Sequence, residues 1–340
     1  GSLQYLHVLP LIEDVDDLIG CRQLLERYLQ LHRREFRRAP EYLRLHIARS
    51  DPALNAGLIS AVVAGKVALS EFYRFSRDRN VPVFPAIGVG SLPFRGNLTP
   101  ERVPEFLREY PGMRTVYIQS AFRYDFPLPT VKRAIRHLNS ALPKSRPRVW
   151  TARQVRSAAA ICQVGARWYR QTIERIAGTV NQIARQVPSR RERKLHVGLF
   201  GYSRGVGRTK LPRAIPFTAT LYSLGVPPEF IGTGRALREL HRRGLEVEEF
   251  YRNFRADLRF AGGFLNHENL ALLAKRGGGW SDIAEDVRLA AEYLGTEFGP
   301  RTVTHYLHRN AASNAYYLWR SGRPITQQII DAGKLRRSLG

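Results

Sequence analysis

A parallel α/β fold is what this sequence predicts for its first half. Three observations carry that prediction. Short β-rich runs alternate with helical stretches through residues 1–146. The runs recur roughly every 35–40 residues, the size of one βα unit. Beyond Pro147 the alternation gives way to helical periodicity that lasts to the end of the chain. Strict alternation implies parallel strands joined by crossover helices. Either a doubly wound sheet or a (β/α)8 barrel satisfies it, and four units are half of a barrel.

Taken in order, residues 5–11 read as a strand and 14–38 as a helix with an acidic start and a basic end, as the helix dipole favours. Residues 42–48 give the second strand, and the apolar stretch 58–77 the second helix. A third strand over 81–87 precedes a short helix over 100–109 with Pro100 at its start. The fourth unit is a strand over 115–119 and a helix over 129–141. A long helix is expected over 151–185, a β-like run over 195–200 after the basic segment 189–194, then residues 211–224 and almost wholly helical sequence from 235 onward. Gly and Pro breaks fall at 225–228, 276–279 and 299–300.

The 340 residues are 44% hydrophobic and 24% charged, the usage of a folded soluble protein rather than a disordered one. No apolar run reads as a bilayer span and no signal-peptide pattern is present, so a membrane role is not expected. Two cysteines, Cys21 and Cys162, without zinc-like spacing exclude a disulfide scaffold and fit a reducing cytoplasm. The net charge is +25, and 47 of the 54 basic residues are Arg. That surplus suits an anionic ligand: nucleic acid, acidic lipid, or phosphate and carboxylate metabolites. The chain opens Gly1-Ser2 without Met, which reads as a processed, engineered or truncated start.

In parallel βα architectures ligands bind at the C-terminal ends of the strands. After the first strand come Glu13 and Asp14, after the second Ala48-Arg49-Ser50-Asp51-Pro52-Ala53-Leu54-Asn55. The third is followed by Gly88-Val89-Gly90-Ser91-Leu92-Pro93-Phe94-Arg95-Gly96, the fourth by Gln119-Ser120-Ala121-Phe122-Arg123. Carboxylates from neighbouring strand ends, with room for water and substrate oxygens, are what Mg²⁺ requires. Asp14 and Asp51 also suit plain helix capping. Glu13 is harder to explain that way, since Asp14 or Asp16 can cap without it. The Gly-rich turn offers backbone N–H groups and the Arg95 guanidinium to one anion. Arg190 lies in a charge run whose ordinary fate is a solvated loop, whereas Arg213 sits inside an apolar run and so needs an anionic partner.

These segments, together with residues 187–204 and Leu211-Pro212-Arg213-Ala214-Ile215-Pro216, resemble archaeal-type phosphoenolpyruvate carboxylase from about Leu9 to Gly340. The most specific motifs are Ala-Arg-Ser-Asp-Pro-Ala-Leu-Asn at 48–55 and Gly-Ser-Leu-Pro-Phe-Arg-Gly at 90–96. The resemblance implies an incomplete (β/α)8 TIM-type barrel with a large, mainly helical C-terminal region. It divides the chain into four βα units (1–146), a helical insertion with the last substrate-binding segments (147–234) and a helical end (235–340). It also implies carboxylation of phosphoenolpyruvate by bicarbonate with Mg²⁺ or Mn²⁺, in a cytoplasmic homotetramer. Carried over position by position, Glu13 and Asp51 resemble the metal ligands. Arg95 resembles a mobile-loop or phosphate Arg, and Arg190 and Arg213 resemble Arg residues that hold substrate phosphate and carboxylate. Asn55, Ser91 and Gln119 fall in supporting positions.

One feature of the family does not match: none of the nine His residues lies in its Gln-His-Pro motif. His7 and His46 fall inside strands and read as sheet residues. The sequence therefore resembles the C-terminal two-thirds of the enzyme. Glu13 and Asp51 are expected to share one metal ion, and Arg95, Arg190 and Arg213 to converge on the same mouth. The competing class is a non-catalytic protein that binds anions or nucleic acid through its basic surface, although no nucleic-acid motif is present.

Overall fold

The computed structural model describes residues 8–189, 205–206 and 209–340. Its first half is a parallel sheet flanked by helices. Strand β1 (Leu11–Ile12) is followed by α1 (Val15–Ile19) and α2 (Cys21–Phe36), β2 (Leu43–Ala48) by α3 (Ser50–Arg79), and β3 (Val83–Gly88) by α4 (Val103–Glu109). Strand β4 (Thr115–Tyr117) leads into α5 (Ser120–Tyr124) and α6 (Leu128–Ala141). All neighbours pair in parallel in the order β1-β2-β3-β4, with Leu11 opposite His46, Ile47 opposite Ile87 and Gly88 opposite Tyr117. The predicted α/β alternation is present, element by element.

Side chains alternate across the sheet as the pleat requires. Leu43, Leu45 and Ile47 are buried beneath the helices, while Arg44 and His46 occupy the opposite face and are only partly covered. That opposite face also carries Phe84 and Tyr117, about two-fifths exposed. Among the described residues β1 and β4 have no further strand on their outer edges.

Helix α3 is the centre of the core. It is long and apolar enough to cross a membrane, contrary to the expectation that no such run exists, yet its most apolar stretch is 94% buried inside the protein. It is a core helix in two parts. Ser50–Ala56 forms a short lead-in, Gly57 breaks the helix at φ 80° and ψ 175°, and the apolar rod follows, at the predicted start. Pro52 is tolerated because it lies in the first turn, where no intrahelical donor is needed. A Cβ at Gly57 would sit 2.9 Å from the Tyr169 ring, so glycine is required by both backbone and space. The expected helix over 14–38 is likewise two helices, divided at Gly20.

The second half packs onto α3. Helix α7 (Ala152–Ala184) opens with a Thr151–Gln154 capping box. Its small residues allow close approach: Ser60 donates to the Cys162 carbonyl at 2.8 Å beside Gly165. After the antiparallel pair β5 (Gly205–Val206) and β6 (Thr209–Lys210) come α8 (Ala214–Ser223) and α9 (Thr233–Arg242). Five more helices complete the chain: α10 (Phe254–Gly262), α11 (His267–Ala274), α12 (Gly279–Leu294), α13 (Val303–Arg320) and α14 (Thr326–Leu335). Gly225, Gly277, Gly278 and Gly299 all have positive φ, so the predicted breaks lie where the chain turns. The β-like run over 195–200 lies outside the described residues. Cys21 and Cys162 are free and buried, and burial pushes both thiols up, which makes them inert core residues.

Candidate active site

One cavity of about 260 Å³ opens at the C-terminal end of the sheet. Its wall contains Glu13 from the β1 end, Arg49, Ser50 and Asp51 from the β2 end, Arg95 from the β3 end and Gln119 from the β4 end. Arg213 and the first residues of α8 close the other side, and His46 lies on the sheet floor. Five of the predicted site residues, separated by up to 200 positions, therefore share one space: Glu13, Asp51, Arg95, Gln119 and Arg213. Parallel strands put all their ends on one edge, which is why residues so far apart in sequence meet there.

Each carboxylate arrives differently. Asp14 takes the capping role, accepting the Asp16 N–H at 2.8 Å, and so leaves Glu13 for the cavity. Asp51 does not cap: the N-cap of α3 is Arg49, without a side-chain capping bond, and Asp51 sits in the first turn facing the same cavity. Two carboxylates fit a Mg²⁺ or Mn²⁺ ion that completes its oxygen shell with water and substrate. They would not fit a structural Zn²⁺ centre, since no cluster of three His, Cys, Asp or Glu exists among the described residues.

Arg95 is 4% exposed and held in one pose. Its Nη2 donates to Gln119 Oε1 at 2.5 Å, its Nε to Ser50 at 3.3 Å, and its Nη1 to a terminal oxygen of Gly340. The turn that carries it explains the glycines of the motif. A Cβ on Gly90 would lie 2.8 Å from Arg95 Cζ, and Gly96 turns the chain at φ 111° against Val89. Around Arg95 the backbone N–H groups are used within the protein. The N–H groups of Gly90, Arg95, Gly96, Asn97 and Leu98 all bond to carbonyls inside the turn, and that of Phe94 to Glu229. The guanidinium is the turn's contribution to the cavity.

Arg213 is the N-cap residue of α8 and is half-buried. Among the described residues its guanidinium has no ion-pair or hydrogen-bond partner, while its carbonyl accepts the Phe217 N–H at 2.9 Å. A guanidinium beside the first turn of a ten-residue helix adds the helix's own positive end to the same wall. His46 keeps its backbone in β2, as expected of a sheet residue, but its ring faces the cavity, 4.7 Å from the Tyr117 ring. Gly88 leaves room for it, and burial holds its pKa below the usual histidine value.

The remaining predicted residues are placed elsewhere. Ser91 is buried and donates to Ser338 at 2.7 Å, and Asn55 has its carbonyl bonded by Arg170 at 3.0 Å. Neither lines the cavity. Arg190 and His7 lie outside the described residues. Sequence reasoning missed the supports of the Arg95 turn. Arg49 is 1% exposed and donates to the Pro93 and Phe94 carbonyls at 3.1 and 3.2 Å and to Tyr110 at 3.1 Å. Asn97 bonds Asp257 at 2.6 Å. Arg49 stood in plain sight in a strand-end motif, whereas Asp257 and Ser338 carry no local signal.

A sequence model of the family described as phosphoenolpyruvate carboxylase matches residues 2–340. The phosphoenolpyruvate carboxylase of Leuconostoc mesenteroides is 36% identical over 339 residues, 99% of this chain and 67% of that protein. That of Metallosphaera sedula is 41% identical over 301 residues, 87% of this chain and 58% of that protein. That of Caldivirga maquilingensis is 41% identical over 348 aligned residues, 98% of this chain and 66% of that protein. The chain thus spans about two thirds or less of the length of these relatives. With a match that runs from end to end, the chain belongs to the phosphoenolpyruvate carboxylase family.

Proposed function

We propose that this chain carries the metal- and anion-binding part of an enzyme that converts phosphoenolpyruvate and bicarbonate to oxaloacetate and phosphate. The observation that supports it is the meeting of Glu13, Asp51, Arg95 and Arg213 around one cavity. In this reading Glu13 and Asp51 hold Mg²⁺ or Mn²⁺, which when bound neutralises phosphoryl charge. Arg95 and Arg213, with Arg190, grip the phosphate and carboxylate of the substrate through their two-pronged guanidinium groups. Gln119 keeps Arg95 aimed, and Ser91 and Asn55 act behind the cavity wall.

A bicarbonate oxygen attacks the phosphoryl phosphorus and the enol C–O–P link breaks, leaving the pyruvate enolate and carboxyphosphate. Carboxyphosphate releases phosphate and CO₂, and the enolate carbon bonds that CO₂. Negative charge gathers on phosphoryl and enolate oxygens throughout, so fixed guanidinium groups stabilise the transition states more than the ground state. Arg95, held by three bonds before substrate arrives, needs no reorganisation to do this. Leu11, Ile215 and Pro216 give the cavity an apolar side that limits water near the enolate.

The four-strand sheet is read as half of a (β/α)8 barrel within the division 1–146, 147–234 and 235–340, in a cytoplasmic homotetramer. Its half-covered inner face supports that reading. Turnover is therefore expected only when the missing strands and an acid/base group are supplied, whereas binding is expected of the chain alone. Calorimetric titration with phosphoenolpyruvate in the presence of Mn²⁺ tests the site. Arg95→Ala or Arg213→Ala should each weaken binding about 10- to 100-fold, the worth of a charged hydrogen-bonded contact, and Glu13→Gln or Asp51→Asn should abolish the Mn²⁺ dependence. A malate dehydrogenase-coupled assay with bicarbonate tests the reaction. Binding indifferent to all four substitutions would leave the basic-surface reading in place.

A further inference from the structure

We propose that Glu229 is a positioning residue for the Arg95 guanidinium, locking the turn that carries it to α8, the helix that follows Arg213. The inference rests on the reading of Arg95 as an anion-binding group.

Glu229 lies in the turn Pro228–Phe230 after α8 and is fully buried. Its Oε1 accepts the Phe94 N–H at 2.9 Å and the Tyr222 O–H at 3.0 Å. Phe94 precedes Arg95, and Tyr222 is on α8, so a single carboxylate oxygen joins the two walls of the cavity. The same residues are coupled a second way, since the Phe94 ring stacks on Phe217 of α8 at 5.5 Å. Glu229 is itself anchored from behind, where Thr233 donates to its carbonyl at 2.6 Å.

A structural role alone does not account for a carboxyl here. Among the described residues its other oxygen, Oε2, is buried without a hydrogen-bond partner, and burial of that kind is costly for an acid. What only an acceptor supplies is a partner for the Phe94 N–H, the one amide of residues 94–98 whose bond reaches outside the turn. Without it, that buried donor is orphaned at the residue next to Arg95, and the turn must shift to reach another acceptor. Displacements of about 1 Å at a two-pronged clamp are enough to matter.

The experiment is titration of the full chain with inorganic phosphate, with the folded fraction of each sample fixed by its melting curve. The variants are Glu229→Ala, Glu229→Gln, Glu229→Asp, Arg95→Ala and Val287→Ala, a core truncation on α12, which contributes no residue to the cavity wall. Glu229→Ala should weaken phosphate at least tenfold in folded protein. Glu229→Gln, which keeps the acceptor, should stay within about threefold of the parent, and Val287→Ala should bind normally despite its lower stability. Should Glu229→Ala fail to fold, Glu229→Asp decides, because it keeps the carboxyl group but withdraws the acceptor from Phe94; a fivefold loss is expected. Normal affinity in Glu229→Ala or Glu229→Asp, with binding lost in Arg95→Ala, overturns the positioning role alone. Normal affinity in Arg95→Ala overturns the anion-site reading on which it stands.

Discussion

Glu229 also has a consequence for stability that is independent of catalysis. Burial pushes its carboxyl up to about 7 from an ordinary value near 4.5, with Asp257 adding to the rise and the Phe94 N–H and Tyr222 opposing it. Below the ordinary value the group is protonated in both folded and unfolded chains and contributes no pH dependence. Between about 4.5 and 7 the unfolded chain loses the proton while the folded one keeps it, so stability falls as pH rises. Above about 7 the loss is complete, on the order of 3 kcal/mol for a shift of this size. The buried His308 works in the opposite direction, losing stability as pH falls, because its pKa is held far below normal by burial beside Arg336. The two are separated by a difference measurement. The melting temperature of Glu229→Gln relative to the parent should climb from pH 5 to pH 8 and then level off; a flat difference would mean that the carboxyl is already ionised at pH 5. None of this was legible in the sequence. Glu13, Asp51, Arg95, Gln119 and Arg213 were, since strand ends and an Arg in an apolar run mark themselves locally. Glu229 meets Phe94 across 135 positions, and no pattern along the chain announces such a pair.

At the scale of elements, β2, β3 and α6 could be read nearly to the residue, whereas the short α5 fell in a stretch read only as the end of a strand. Errors occurred where helices are broken rather than where they are absent. The stretch 14–38 hid a break at Gly20, and α3 begins eight residues before the predicted start. The chain uses Pro52 as a first-turn residue and Gly57 as a kink that delivers Asp51 to the cavity and the apolar rod to the core. The kink has a testable cost. Ala at position 57 must adopt a backbone conformation that is open mainly to glycine, at about 1–3 kcal/mol, and its methyl must displace the Tyr169 ring, a further ~1–3 kcal/mol of overpacking. Gly57→Ala should therefore lower the unfolding free energy by at least about 2 kcal/mol in a urea titration. Gly178→Ala on α7, where a Cβ meets nothing within 4 Å, should be neutral or slightly stabilising. Equal behaviour of the two would show that α3 straightens without penalty.

At the scale of the whole molecule, the two faces of the sheet are unequal. One is sealed by α3 and its neighbours. The other exposes Leu11 and Phe84 at 40% each, Tyr117 at 39% and the adjoining Ile118 at 42%, between two strand edges without partners among the described residues. Open edges beside apolar side chains favour strand addition and self-association. The large positive charge opposes this at low salt, and screening weakens that opposition. The chain on its own should accordingly sediment as a monomer when dilute at low ionic strength and associate as salt or concentration rises. Phe84→Lys with Ile118→Lys should suppress the association without lowering the melting temperature, since both side chains lie at the surface. A polypeptide made from the third of the Leuconostoc relative that this chain does not cover should do the same by occupying the face. If that polypeptide leaves the sedimentation profile unchanged while the double substitution alters it, the sheet face is adhesive but is not the place where further strands join.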